Sequence, residues 1–480
     1  MTSRVETSIR SLVRWGVMSL AAFNRGRMRV PVRPDPFLSG IHAPMTTELE
    51  VLDLPVQGRI PPELTGRYLR IGPNAIRPDP RGHHWFVGDG MVHGLRLEGG
   101  QAQWYRNRWV RSNRVGEALG KPAAPGPRHS RSDTVNTALV QHAGALWALV
   151  EAGSTPVRLD SDLEGQAYDD FGGTLDGPFA AHPHRDPATG ELHAIAYEAT
   201  EPDHVTHVVV DATGRVTREL RIPLRHGPMV HDCAITARYV LVFDLPVTFS
   251  MRTFIAGQLL PYRWNPDHPA RLGLLPRKGD VRDIVWIPLQ PCFIFHTVNA
   301  YDTDDGLVVL DAVVYDRMFD GVPGRPGTNP RAIERWTIDP ERRTVHRHCV
   351  DARPQEFPRI DERRCGTPHR YAYTLGLPAA TSAAVVGASH IYKHDFATGK
   401  HWTHDFGPGK VPGEMVFVPR HAEADEDDGW LMGFVVDEPS EVTDFVVLDA
   451  QDVEALPLAS VRIPHRVPPG FHGCWAADEA

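Results

Sequence analysis

Glycine and proline punctuate almost the whole chain, 42 and 43 of them in 480 residues, and they fall between short apolar runs instead of gathering into a linker. That spacing excludes long helices over most of the length, and no stretch approaches the roughly 20 apolar residues a membrane-spanning helix needs. The runs are rich in β-branched and aromatic residues: LWALVE at 146–151, YVLVF at 239–243, LVVLDAVVY at 307–315, MVFV at 415–418 and FVVL at 445–448. They read as strands. Several are joined by one kind of turn, DPATG at 186–190, DATG at 211–214 and FATG at 396–399, in which Gly supplies a positive φ and Asp or Thr a local cap. Strand, turn and strand from residue 65 onward predict a closed all-β architecture, and a β-propeller removes long edges by radial repetition. No tidy repeat period appears, so the blades are expected to be irregular and to carry long insertions. A pair of β sandwiches is the alternative, and it would leave the two chain ends in different domains.

Two segments read as helices. Ile9, Leu12, Val13, Gly16 and Leu20 keep helical spacing with Arg10 and Arg14 on another face and Arg25 and Arg27 beyond. This is either a helix that lies in a membrane interface or one that packs on the body. Glu6 and the context after Phe23 speak against a signal peptide. Met251, Phe254, Ile255 and Leu259, followed by Pro261, form the second segment inside a long insertion between strands. It is placed to line a hydrophobic tunnel or to cap a core.

A formal charge of −9 gives nothing with which to neutralise phosphates, so nucleic acid is not an expected partner. Five cysteines, scattered and without a C-x-x-C, fit neither a disulfide framework nor a thiolate zinc site and suggest a reducing cytoplasm. P-loop, G-x-S-x-G and H-E-x-x-H motifs are missing, and Gly407, Gly409 and Gly413 miss the dinucleotide spacing by one residue. The acidic run Glu423–Asp428 lacks the spacing of a calcium loop. The unusual residue is histidine, present 25 times. On a propeller, metal ligands would come from strand ends of different blades, so the informative histidines are those in apolar strand contexts, where an unpaired imidazole is costly to bury. Four qualify: His182 in FAAHP, His231 in MVHDCAIT, His296 in CFIFHTVNAYD and His472 in GFHGCW. Context alone leaves them equally readable as hydrogen-bonded core residues or as ligands. A competing facial triad would use His184 and Asp186, but Asp186 also opens the DPATG turn, which suffices to explain it.

At these residues the chain resembles the carotenoid cleavage oxygenases, a family that includes apocarotenoid- and stilbene-cleaving enzymes. The blocks that carry the resemblance run in order from about residue 46: PPELTGRYLRIGPN at 61–74, FVGDGMVHG at 86–94, YRNRWVRS at 105–112, AHPHRDPATGEL at 181–192, HDCAIT at 231–236, FHTVNAYD at 295–302, EFPRID at 356–361, GEMVFVPR at 413–420 with its leading Gly, and GFHG at 470–473. The resemblance implies a seven-bladed β-propeller with a helical cap over the iron-bearing face. It divides the chain into an amphipathic lead-in at 1–45 and a single propeller oxygenase domain with cap insertions at 46–480. It implies that His182, His231, His296 and His472 hold Fe(2+), that Glu151, Glu356 and Glu414 buttress three of the imidazoles, and that Thr137 stands beside an open coordination position.

The implied activity is oxidative cleavage of a C=C bond of a carotenoid or apocarotenoid to two carbonyl products. Dioxygen and a lipophilic polyene are the partners, and no organic cofactor is required. A ligating imidazole normally gives its other N–H to a carboxylate or carbonyl, which is the physical sense of the glutamates. Where stilbene-cleaving relatives grip a phenol with Lys and Tyr, this chain has Val150 and Trp109. A stilbenoid or phenylpropenoid oxygenase with the same iron and a noncatalytic binding propeller remain the alternatives. The expected location is cytoplasmic, with peripheral membrane contact through residues 9–23 and 251–260.

Overall fold

The computed structural model describes residues 4–129, 133–199, 201–321, 330–378 and 387–478, with the backbone alone for residues 4–14, 330 and 331. The chain is an all-β seven-bladed propeller. Blade one begins with Ala138–His142, blade two with His184–Arg185, blade three with Ala234–Ile235 and blade four with Phe293–Asp302. Blade five begins with Gln355–Arg359, blade six with Lys410–Pro412 and Val416–Pro419, and blade seven with Gly473–Ala477. Residues on or just before these first strands, Ala138, His182, Asp232, His296, Arg359, Val416 and His472 among them, line a shared cavity of about 640 Å³.

Each blade is packed between two others, so its middle strands are buried on both faces. Val308–Tyr315 is buried at every position, and Gly429–Asp437 at all but the last. This is why those segments read as unbroken apolar runs instead of alternating ones. Asp311, the one acid in the first run, is neutralised by a two-pronged contact with Arg335 at 2.9 and 2.8 Å. The repeated turns form as the sequence suggests: Asp186 Oδ1 accepts from Ala188 N at 2.8 Å, Asp211 Oδ1 from Thr213 N at 2.9 Å, and Gly190 and Gly214 take φ of 74° and 83°.

The two ends of the chain close the ring together. Gly473–Ala477 pairs with Gly66–Pro73 in blade seven, and Val56–Gly58 pairs with Ala459–Ile463 at the outer edge of blade six. Because both ends share sheets, the sandwich-pair alternative does not hold. A helix spans Arg4–Arg27, and its end docks on the 251–260 insertion, where Asn24 Nδ2 donates to Ile255 O at 2.8 Å and Arg25 Nε to Gly257 O at 2.9 Å. The insertion helix is shorter than its apolar spacing suggests. It covers only Met251–Ile255, since Gly257 turns to φ 98° and leaves Leu259 outside. The side chains of Ile9, Arg10, Leu12, Val13 and Arg14 lie outside the described ones; Trp15, Leu20, Phe23 and Met251 are exposed.

The closing seam is tight at Gly66, where a Cβ would stand 2.5 Å from Ala476 O and 2.9 Å from Ala477 Cα, at φ 152°. Gly66→Val is therefore expected to push the last strand off its partner and to cost roughly 1–3 kcal/mol, read as a lower denaturant midpoint at unchanged slope.

Candidate metal centre

One residue stands at or near the head of each first strand: Thr137, His182, His231, His296, Glu356, Glu414 and His472, in blade order, and the side chains of all but Thr137 meet at a common place. Three of these positions depend on irregular pairing, which re-aims a side chain that a regular strand would point elsewhere. The register slips between Ile294 and Thr297 around His296, and again between Glu356 and Arg359, where Phe357 adopts φ 53°. At Glu414 the strand is interrupted between Pro412 and Val416, opposite Gly433. A Cβ on Gly433 would lie 2.6 Å from Met415 Sδ and 2.9 Å from Glu414 O, so only glycine admits this bend.

The four imidazoles meet edge to edge. His231 Nε2 is 3.0 Å from His182 Nε2 and 3.2 Å from His296 Nε2, and the His472 ring centroid is 4.5 and 4.8 Å from those of His182 and His296. Their tautomers follow from the outer ring nitrogens. His231 Nδ1 donates to Glu151 Oε2 at 2.6 Å, His296 Nδ1 to Glu356 Oε2 at 2.6 Å, and His472 Nδ1 to Glu414 Oε1 at 2.9 Å. With the proton on Nδ1, each Nε2 turns a lone pair inward. All four rings offer a ligand atom within 4.8 Å of one another. With both protons on Nδ1, the His231 and His296 Nε2 atoms, 3.2 Å apart, repel as neighbours and attract only through a shared cation.

The carboxylates are themselves clamped. Tyr197 donates its hydroxyl to Glu151 Oε1, Tyr315 donates to Glu356 Oε1 at 2.8 Å, and Gly473 N donates to Glu414 Oε2 at 2.8 Å with Arg359 Nη1 3.8 Å from Oε1. Burial, then the neighbouring imidazoles, holds the proton affinity of His182 and His472 well below the usual histidine range. Burial acts the same way on His296, but the Glu356 charge and hydrogen bond outweigh it and raise that group. For Glu151, burial favours the acid, yet His231 and Tyr197 prevail and keep it a carboxylate. Burial pushes Glu414 up against the opposing pull of Arg359.

Thr137 is at the head of blade one, with its carbonyl accepting from His472 N at 3.1 Å, but its hydroxyl donates to Asn136 Oδ1 at 2.9 Å. His184 and Asp186 are not brought together. His184 Nε2 donates to Asp232 Oδ1 at 2.7 Å, while Asp186 caps its turn and meets Arg277 at 2.6 Å. Trp109 is fully buried with Met91 and Val115, its indole N–H donating to Asn74 O at 2.9 Å. Sequence reasoning passed over Tyr197, Tyr315, Arg359 and Asp232, and also an aromatic wall on the histidines. Phe295 lies 5.1 Å from His231, Phe357 lies 5.4 Å from His472, and Phe471 and Phe86 continue the wall to Trp85. A signal for the wall was available, since FH at 295–296, EF at 356–357 and FH at 471–472 each set a Phe beside the polar residue.

Asp232 accepts from His184 Nε2, Cys233 N, Thr297 N and the Thr297 hydroxyl, at 2.7–2.8 Å. Asp232→Leu strands these donors in a buried place and is expected to cost about 3–5 kcal/mol of stability, measurable by denaturant unfolding; Asp232→Asn should cost less.

Comparison with known proteins places this geometry. The family model described as retinal pigment epithelial membrane protein matches residues 42–477. A carotenoid cleavage oxygenase of Mycobacterium tuberculosis is 40% identical over 491 aligned positions, covering 92% of this chain and 97% of its own. Among solved structures, a Pseudomonas brassicacearum lignostilbene dioxygenase matches with TM-score 0.82 and 29% identity over 94% of this chain and 100% of that one. The cobalt-substituted Synechocystis apocarotenoid oxygenase matches with TM-score 0.78 and 29% identity over 91% and 97%.

Proposed function

As the chain belongs to the carotenoid cleavage oxygenase family and is an oxygen-incorporating oxidoreductase, we propose that it is a non-heme iron(II) dioxygenase splitting one C=C bond of a carotenoid or apocarotenoid into two carbonyl products. The observation that carries this reading is the convergence of four imidazoles, three of them with Nδ1 tied to a carboxylate. His182, His231, His296 and His472 would hold the metal; neutral nitrogen donors of this kind suit iron(II) and leave coordination positions open. The chemistry that iron(II) supplies when bound is the activation of dioxygen for attack on an electron-rich alkene, whose own electrons complete the reaction.

The chain's residues do the rest. Glu151, Glu356 and Glu414 fix ring orientation and raise ligand basicity. Phe86, Phe295, Phe357 and Phe471 give a polyene an apolar surface and exclude water from the reacting bond. Thr137 borders the site through its backbone, and no side chain needs to move a proton. A stilbenoid substrate is the second reading, favoured by the likeness to the lignostilbene dioxygenase. Val150 and the core position of Trp109 supply no phenol grip, so the polyene is preferred.

Each of His182→Ala, His231→Ala, His296→Ala and His472→Ala is expected to lower iron content and abolish oxygen uptake with an apocarotenal, whereas His184→Ala and Asp186→Ala keep the iron. Glu151→Gln, Glu356→Gln and Glu414→Gln should weaken iron binding or rate by roughly 10 to 100-fold. Mass spectrometry of both carbonyl products from carotenoids, apocarotenoids and stilbenes identifies the substrate. Iron retained in all four alanine variants would discard the assignment.

Delivery of a bilayer-soluble substrate is the remaining part of the proposal. No helix among the described residues is long and apolar enough to cross a membrane. The docked helices present Trp15, Leu20, Phe23 and Met251 to solvent beside Arg27 and Arg252, and we assign them as a peripheral contact and as the cap of the entry. Binding to anionic liposomes should weaken with salt and fall when residues 1–26 are deleted, with iron content unchanged. Full-length protein that stays in the supernatant at low salt would remove this contact.

A further inference from the structure

A second cluster of buried lone pairs lies on the outer strands of blade five, away from the axis. His394 of the strand His390–Asp395 faces His401 of Lys400–Asp405 directly across the ladder, beside Asp351 at the end of the last strand of blade four. The two Nδ1 atoms are 2.9 Å apart, and Asp351 Oδ2 is 3.7 Å from His394 Nδ1 and 4.0 Å from His401 Nδ1. His394 and Asp351 are buried, and His401 opens to solvent.

Hydrogen bonding fixes where the protons sit. Gln355 Nε2 donates to Arg353 O at 3.1 Å, so Gln355 Oε1 is the acceptor for the Thr374 hydroxyl at 2.6 Å. Thr374 has no second proton, and its oxygen must accept from His394 Nε2 at 3.0 Å. His394 therefore carries its proton on Nε2 and turns a bare Nδ1 toward both Asp351 and His401. Asp351 is paired with Arg353 on one side, but on the other its Oδ2 meets the bare His394 Nδ1 at 3.7 Å, a contact that a cation between the two would turn to attraction. A proton on His401 Nδ1 relieves only the contact between the rings.

We propose that Asp351, His394 and His401 bind a divalent first-row transition ion such as Zn2+ at the seam of blades four and five. Two imidazoles and one carboxylate form a donor set for such ions. None of the three separations exceeds the span of two opposed bonds of about 2.1 Å, and 2.9 Å suits adjacent nitrogen ligands. Arg353 holds the carboxylate through Nε and Nη2, at 3.0 and 2.6 Å to Oδ2, and orients it as outer partners of ligating carboxylates do. Water reaches the remaining positions past His401. The ion ties two blades together and stabilises the folded protein by mass action.

The test is a metal count by mass spectrometry on the full chain after dialysis against buffered Zn2+, together with thermal unfolding. Parent protein is expected to hold about one more zinc per chain than His401→Ala, whether or not the axial site carries iron. His401→Ala and Asp351→Asn should each weaken that zinc at least tenfold and lose the rise in Tm that zinc gives the parent, with axial iron retained. His401 sits partly exposed on an outer strand, so its alanine variant should fold. His346 and His348, exposed on the neighbouring strand Thr344–Asp351, are the control for simple surface chelation, and their joint replacement by Ala should spare the zinc. Equal zinc in parent and His401→Ala, or zinc lost with His346 and His348 instead, overturns the proposal.

Discussion

Closing seven sheets into one ring brings the heads of seven strands to within a few ångströms of a single axis, and no other place in the molecule is shared by all the blades. Whatever stands there is assembled from residues far apart in sequence: Thr137 from the first blade, His472 from the last, and the rest between. The site consequently exists only when the ring is closed. Closure depends on Gly473–Ala477 pairing with Gly66–Pro73, so the strand that seals the propeller begins one residue after the histidine it delivers. Metal binding of the kind proposed would thus be linked to ring closure, because an ion that needs His472 also needs the seam.

Much of the architecture was legible in the chain. Buried middle strands had to read as unbroken apolar runs, and 307–315 does. The four histidines separated from the other histidines because apolar strand contexts make a buried imidazole expensive, a cost specific to those positions. What context could not decide was whether such an imidazole is a core residue or a ligand. That depends on partners in other blades, such as the Glu151 to His231 bond across 80 residues and the Tyr315 to Glu356 bond across 41. Tyrosine in a strand reads as core in either case. The bulges at His296 and Glu356 were equally silent, because the Phe357 backbone at φ 53° carries no compositional mark when the residue is not glycine. The insertion helix was overestimated for the opposite reason: Leu259 continues the apolar spacing, but Gly257 had already ended the helix.

The charge arrangement gives the site a physical logic beyond its distances. Glu151, Glu356 and Glu414 surround the four imidazoles, and all three are withdrawn from water. Tyr197, Tyr315 and the Gly473 N–H solvate them as neutral dipoles. Arg359 approaches Glu414 at 3.8 Å and the buried Arg70 adds to its positive surroundings, while Asp232 is already matched by His184 at 2.7 Å. Isolated buried carboxylates are costly, and removing such charges from water is repaid only by charges of opposite sign held close by. A cation held by the four rings, as proposed, would add the opposite charge, each of the three carboxylates reaching it through the polarised ring that lies between them. The same reasoning explains why the glutamates sit one imidazole away instead of binding directly. Neutral nitrogen donors would leave the proposed ion its full charge, and the carboxylates would stabilise that charge without occupying the positions a small oxidant needs.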